Sequence, residues 1–490
     1  MKPKHNLFFS MGYIAFVFLV IFLIGGIGFE DKWNFNPDSI SPTEIFFIGY
    51  RRDQKIELWQ ASLNNNTQSL IFSESAKYSF ALLPKSEQFF LGNCIRTGEC
   101  NIDSNEMISR YWWDSLSISP LKHRLLWTET AEFCPPNLRY CDGGVMRIVS
   151  WKIDESEKKI LSEIPYHISL LKHQSITSIR WLPNNREISF IETSKDAGWS
   201  NLKKINLDSL LITDIAQNVS EYKWAPQGSR IAYIESMRKI KIIDLVENQF
   251  LDVGSEYRYI TDFTWSPDGN KLVFTATTVQ GKSGVYVVDF VSRKESLLLE
   301  SSGNRFYTEV NWSPNGAMVA IIQAVGDGET GQIILVNMQT PFSEAIEFDN
   351  IIKLDSTSKI AQWSWSPDGK IIAIQTTSQR ENGLEIIFFD PEKREIISKF
   401  TQENYQAEWV FSDNRAIVVL LRSQDKVCPR NKIDKIGKYF WSSNKFSELS
   451  FSNEFINNLK NCDFSISAFT VGDQPYPQVS SDSFQIDVWR

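Results

Sequence analysis

The chain has 490 residues, 42% of them hydrophobic and 22% charged, a globular composition that excludes wholesale disorder. The formal net charge is −8, and Lys2 and Lys4 are the only charged residues before Glu30, so the remainder is more acidic still. That balance argues against nucleic-acid binding, which needs a cationic surface.

Residues 1–6 are short and basic, and residues 7–29, LFFSMGYIAFVFLVIFLIGGIGF, carry no charge. At ~1.5 Å per residue such a helix crosses the ~30 Å of hydrocarbon in a bilayer. A cleaved signal peptide is the competing reading, and Gly26 and Gly28 supply small residues for a cleavage site. The apolar run exceeds a signal-peptide core, so the expectation is a retained, single-pass signal anchor in the cell membrane. Lys2 and Lys4 then stay in the cytoplasm, and everything from Glu30 onward lies outside it, periplasmic or extracellular. Residues 30–43 read as a linker and 44–490 as the ectodomain.

All six cysteines follow the apolar run. An oxidising compartment favours disulfides, and the spacing suggests Cys94–Cys100, Cys134–Cys141 and Cys428–Cys462. Zinc held by the first four, or free thiols, are the alternatives; five and six intervening residues are loose for zinc.

EIFFIGY (44–50) and KIELWQASL (55–63) read as two strands with no turn motif before them. They are expected to complete a sheet begun by the C-terminal segment, where FQIDVWR (484–490) reads as a strand. Between these ends one unit recurs. WLPNNREISF begins at Trp181, WAPQGSRIAY at Trp224, WSPDGNKLVF at Trp265, WSPNGAMVAI at Trp312, WSPDGKIIAI at Trp365 and a weaker WVFSDNRAIV at Trp409. LLPKSEQFFL (82–91) and ISPLKHRLLW (118–127) fit the frame without the tryptophan. Pro226, Pro267, Pro314 and Pro367 suit the second position of a type I turn. Gly228, Gly269, Gly316 and Gly369 suit its last position, where φ is often positive; Asn185 and Asn414 stand there in two copies. After each turn come apolar runs such as KLVFTAT and GVYVVDF, giving about four short strands per repeat.

A four-stranded sheet cannot bury both faces alone, and a period of about 40–45 residues is that of a β-propeller blade. The expected fold is therefore all-β, a single propeller with eight blades preferred over seven, after one N-terminal transmembrane helix. The tryptophans are expected between neighbouring blades, an exposed sugar-binding platform being the lesser reading.

Trp-Ser-Pro-Asp-Gly followed by two apolar strands resembles the TolB-type propeller repeat, which WD-type propellers and the propeller domains of prolyl-oligopeptidase relatives parallel. The resemblance implies a position outside the cytoplasm and function through protein–protein contact. Unlike TolB, this chain leaves no room for an α/β domain before the first strand, and an anchor precedes it. A catalytic domain of the prolyl-oligopeptidase type is not expected in the roughly 80 residues after Trp409, and no Gly-x-Ser-x-Gly elbow occurs.

Chemistry is sparse elsewhere. Some TolB-like propellers are lyases that hold a metal with histidines; here His123, His167 and His173 would have to converge, which their spacing does not favour. Gly281-Lys282-Ser283-Gly284 reads as a hairpin turn, not a phosphate loop, and Gly326-Asp327-Gly328-Glu329 as a hairpin tip, not a calcium loop. Asp268 and Asp368 read as turn-forming carboxylates. No catalytic residue, cofactor or metal is expected. The favoured function is a non-catalytic, membrane-anchored binding propeller with a protein partner at one face, a sensor subunit of a membrane complex being one version of it. The alternative is an extracytoplasmic hydrolase or lyase acting on a glycan.

Overall fold

Runs of β-branched and aromatic residues, each ended by a polar turn, give strands of four to eleven residues and no helix among the described residues. The computed structural model describes residues 44–471 except 52–54, 63–67, 76–107, 120–123, 134–142, 153–156, 167–173, 183, 185, 195–197, 248, 254–256, 293, 302–304, 326–328, 340–357, 379–382, 424–432 and 450–463. The chain divides into two compact units, Met1–Ile40 and Ser41–Arg490, and every described strand belongs to the second. No helix among the described residues is long and apolar enough to cross a membrane; residues 7–29 lie outside them.

The described strands form eight antiparallel sheets. Sheet I holds Glu44–Arg51, Lys55–Ser62 and Gln68–Ser75. Sheet II holds Ile108–Ile118, Arg124–Phe133, Gly143–Lys152 and Glu157–Tyr166; sheet III holds Gln174–Trp181, Glu187–Ser194, Trp199–Asn206 and Ile212–Gln217. Sheet IV runs from Val219–Trp224 through Arg230–Glu235 and Lys239–Asp244 to Gln249–Val253. Sheet V runs from Tyr259–Trp265 through Lys271–Thr277 and Ser283–Asp289 to Lys294–Glu300. Sheet VI shows three strands, Arg305–Trp312, Met318–Val325 and Glu329–Asn337. Sheet VII comprises Ser358–Trp365, Ile372–Ser378, Gly383–Asp390 and Glu395–Glu403; sheet VIII comprises Tyr405–Phe411, Ala416–Ser423, Ile433–Phe440 and Lys445–Glu448.

The chain ends meet in sheet I, where Phe464–Val471 pairs antiparallel with Glu44–Arg51 and takes the first-strand place. The closing strand thus lies upstream of FQIDVWR (484–490), which is outside the described residues. First strands converge: those of sheets IV and V touch, as do those of V and VI, and the closing strand touches Ile108–Ile118. Second strands such as Lys271–Thr277 are almost wholly buried, whereas fourth strands such as Gln249–Val253 and Lys445–Glu448 are mostly exposed.

The core is made between sheets, not within them. One cluster joins Leu126 and Ile148 of sheet II to Trp181 and Phe190 of sheet III. Others join III to IV around Trp224, IV to V around Trp265, V to VI around Trp312, VI to VII around Trp365 and VII to VIII around Trp409. This is the arrangement of a propeller-like stack: each sheet buries its faces only because neighbours cover them.

Candidate functional site

The recurring turn is built the same way in each clear copy. The amide of Gly269 donates to Ser266 O at 2.8 Å, and Gly228, Gly316 and Gly369 repeat the bond to Ala225, Ser313 and Ser366. These glycines have φ of 71°, 67°, 73° and 69° in chain order, the left-handed region that L side chains avoid. Asp268 accepts from Ser266 Oγ at 2.5 Å and from Asn270 N at 3.0 Å; Asp368 accepts from Ser366 Oγ at 2.7 Å. Burial pushes the Asp268 carboxyl up, but these hydrogen bonds outweigh it and hold the group below its ordinary range. Ser119 N bonds Arg124 O at 2.8 Å, as Ser266 N bonds Lys271 O at 2.9 Å; residues 120–123 between them lie outside the described residues. Residues 82–91 lie outside the described residues.

Neighbouring turns touch. Asn315 Nδ2 donates to Gly369 O at 3.1 Å, and Asp368 N donates to Asn414 Oδ1 at 2.9 Å. A Cβ on Gly369 would lie 2.9 Å from Asn315 N, so this glycine also makes room for the adjoining sheet's turn.

All six repeat tryptophans are buried, none above 8% exposure. The indoles of Trp181, Trp224 and Trp265 donate to the preceding sheet, at Ser117 Oγ, Ser189 Oγ and Lys223 O. Those of Trp312 and Trp365 have no acceptor. The last copy is out of step. Phe411 faces Ile417 as Trp265 faces Leu272, so Phe411, not Trp409, is the equivalent residue. Trp409 sits two residues earlier on the same face, where sheet V has Phe263, and donates to Gln375 Oε1 at 2.8 Å. The turn there is one residue shorter, and Asn414 is not among the left-handed residues; Asn185 lies outside the described residues.

Sequence reasoning missed a polar belt on the first strands. Three residues before each motif aromatic stand Ser178, Glu221, Asp262, Glu309, Gln362 and Glu408. In sheets III, V, VI and VII these positions stitch each sheet to the residue two before the next aromatic. Tyr222 Oη donates to Ser178 O at 2.6 Å; Val310 N donates to Asp262 Oδ2 at 2.9 Å. Trp363 Nε1 donates to Glu309 Oε2 at 2.7 Å, and Gln362 Nε2 to Trp409 O at 2.9 Å. Between sheets IV and V the stitch is Lys223, which donates to Asp262 Oδ1 at 2.7 Å and Phe263 O at 2.6 Å. Burial pushes the Lys223 ammonium down, but Asp262 and Glu221 more than offset it and hold it above its ordinary value. Burial holds the Glu221 carboxyl above its ordinary range against the pull of Lys223, with Asp262 adding to the rise. Glu408 is clamped by Arg422 at 2.7 Å. Alignment of the repeats three residues before the tryptophan carries the only sequence signal for this belt.

Gly281 N bonds Thr278 O at 2.9 Å with φ of 84°, a hairpin turn. The six cysteines, the three histidines and residues 326–328 lie outside the described residues, among which no group of three metal-ligating side chains occurs.

A family model for the TolB beta propeller domain matches residues 166–413. No curated protein matches the chain in sequence. Among solved structures, TolB from Acinetobacter baumannii is 15% identical over 72% of this chain and 78% of its own, with a TM-score of 0.34. The propeller domain of the Trilobed protease from Pyrococcus furiosus is 10% identical over 71% and 98%, with a TM-score of 0.43. Oligogalacturonate lyase from Vibrio parahaemolyticus is 11% identical over 70% and 87%, with a TM-score of 0.43.

Proposed function

The chain belongs to the TolB beta propeller domain family, and on that premise we propose that it is a non-catalytic binding module: an eight-bladed propeller held outside the cytoplasm by a retained anchor at residues 7–29, with a protein partner at one face. One observation carries the reading. Most first-strand carboxylates, the groups best placed to do chemistry where the sheets converge, are spent on structural partners: Asp262 on Lys223 and Val310 and Glu309 on Trp363 across the seams, and Glu408 on Arg422 within sheet VIII. A general acid or nucleophile needs a carboxylate whose proton or lone pair is free to meet substrate. Turn loops on a rigid stack are, by contrast, suited to recognition. The disulfide pairs and the anchor belong to the same reading, since both follow from a chain that leaves the cytoplasm.

The test is cross-linking of the full-length chain in its native membranes, followed by mapping of the linked peptides. A defined partner linked to the turns of one face supports the reading. A chain that cross-links to nothing, or that hydrolyses or eliminates a glycan and loses this on Glu309→Gln or Glu408→Gln, contradicts it.

A further inference from the structure

The seam between sheets III and IV lacks a bond that the next seam makes. Between IV and V, the residue before the motif tryptophan is Lys223; its ammonium lies 5.2 Å from the centre of the Phe263 ring and bonds Asp262 at 2.7 Å. One sheet earlier the equivalent cation is Arg180, its guanidinium 5.8 Å from the centre of the Tyr222 ring, the counterpart of Phe263. The counterpart of Asp262 is Glu221, but its carboxylate is taken by Lys223 of its own strand at 3.4 Å. Arg180 makes no hydrogen bond or ion pair among the described residues, and its Nε is shut off from solvent without an acceptor. Arg180 is half-buried over the Tyr222 ring, and a guanidinium carries five donors, so a closed-off Nε–H without an acceptor leaves part of its binding capacity unused.

The backbone departs from the repeat at the same place. The first strands of sheets IV to VII share a bulge, the register skipping one residue at Ser220, Thr261, Thr308 and Ala361. In sheet III, Thr177 faces Ile191 and Arg180 faces Ser189, so the extra residue lies beside Arg180, and Ser178 has φ of 54°. A bulge re-aims the side chains next to it, and a left-handed non-glycine is strained. Tyr222 Oη pins the distortion by donating to Ser178 O at 2.6 Å beside Ser189 Oγ at 3.0 Å.

We propose that the Arg180 seam is a binding site for a carboxylate, which takes against Arg180 the place that the Asp262 carboxylate holds against Lys223. A planar guanidinium matches a carboxylate with two parallel bonds, and a lysine does not. Glu221 feels the charge of Arg180, but it makes no ion pair with it: burial favours its neutral form and Lys223 holds its carboxylate at 3.4 Å. The carboxylate comes from a small acid or from an acidic side chain of a peptide; the chemistry is shared. The inference goes beyond the binding-module reading and stands without it.

The experiment uses the full-length protein in detergent at constant ionic strength. Citrate and a hexaglutamate peptide are titrated separately, with choline as the cationic control. The Nε–H resonance of Arg180, assigned by its loss in Arg180→Lys, is followed, and affinity is measured by calorimetry. A saturable shift with citrate places a small acid in the seam; one with the peptide alone places an acidic side chain there. Affinity should fall at least about tenfold in Arg180→Lys, persist in Glu221→Gln and be unchanged in Lys282→Gln at the exposed rim. No saturable shift with either probe, equal affinity in Arg180→Lys, or an Nε–H signal in the free protein that is already hydrogen-bonded and collapses in Glu221→Gln would overturn the site. A site that binds citrate on a chain that cross-links to no partner leaves this inference standing and removes the function proposed above.

Discussion

At the residue scale the repeat tryptophans look alike in sequence but differ in energetics. Trp265 donates across the seam to Lys223 O, whereas the Trp312 N–H is buried without an acceptor. Trp265→Phe should therefore lose about 1 kcal/mol more than Trp312→Phe, read as the difference in urea-unfolding free energy. Equal losses would mean the indole bond contributes nothing. The turn glycines separate too. Both Gly269 and Gly369 have positive φ, but an added Cβ meets only the flexible Gln227 side chain at Gly269 and the Asn315 backbone at Gly369. Gly369→Ala should cost more than Gly269→Ala, which pays mainly the ~1 kcal/mol of left-handed strain. Glu221 has a folded-state pKa raised by burial. Between the ordinary carboxylate value of ~4.3 and that raised value the folded chain binds the extra proton, so stability falls as pH rises through this window. Glu221→Gln should be the more stable chain at neutral pH, and the gap should close below pH ~4; a gap independent of pH would show that Glu221 is not so held. The turn residues were legible because Pro and Gly have fixed backbone demands. The belt was not, because Ser, Glu, Asp and Gln share a role only after the strand ends are known.

At the scale of elements, sheet I is joined from both ends of the chain. Sequence alternation gave its strands at 44–50 and 55–63 and the idea of closure, but not which C-terminal segment closes it. Several short apolar runs near the C-terminus have the same period, and only the register of Ile45 with Val471 and Arg51 with Phe464 distinguishes them. Removal of residues 464–490 would bare the whole edge of Glu44–Arg51 and the flank of Ile108–Ile118 that the closing strand touches. The truncated chain should aggregate or melt in a separate low-temperature step by calorimetry, because an open edge pairs with other chains and uncovers a seam. A single unchanged transition would show that closure is dispensable. Sheet VIII illustrates the limit of motif spacing. Trp409 and Phe411 lie on one face two residues apart, so a tryptophan-anchored alignment slips by two without changing which face is buried.

At the scale of the whole molecule, the fold was legible because one unit recurs, and recurrence survives the loss of any one copy. Function was less so, because recognition and chemistry place no repeating demand on the sequence. The polar belt joins the two scales: if its carboxylates hold the sheets together, they are unavailable for catalysis. Residues that make a site reactive are held at a cost, and replacing them usually stabilises a protein, whereas replacing a structural partner destabilises it. The most direct measurement is the melting temperature of Asp262→Asn, Glu309→Gln and Glu408→Gln, each alone. All three should melt below the parent chain, Asp262→Asn the lowest, with an unfolding free energy reduced by about 2–3 kcal/mol. The loss stays below the ~3–5 of a fully buried pair because Lys223 keeps 26% of its side chain exposed. A rise in melting temperature for these variants would contradict the account and mark the belt as a reactive site.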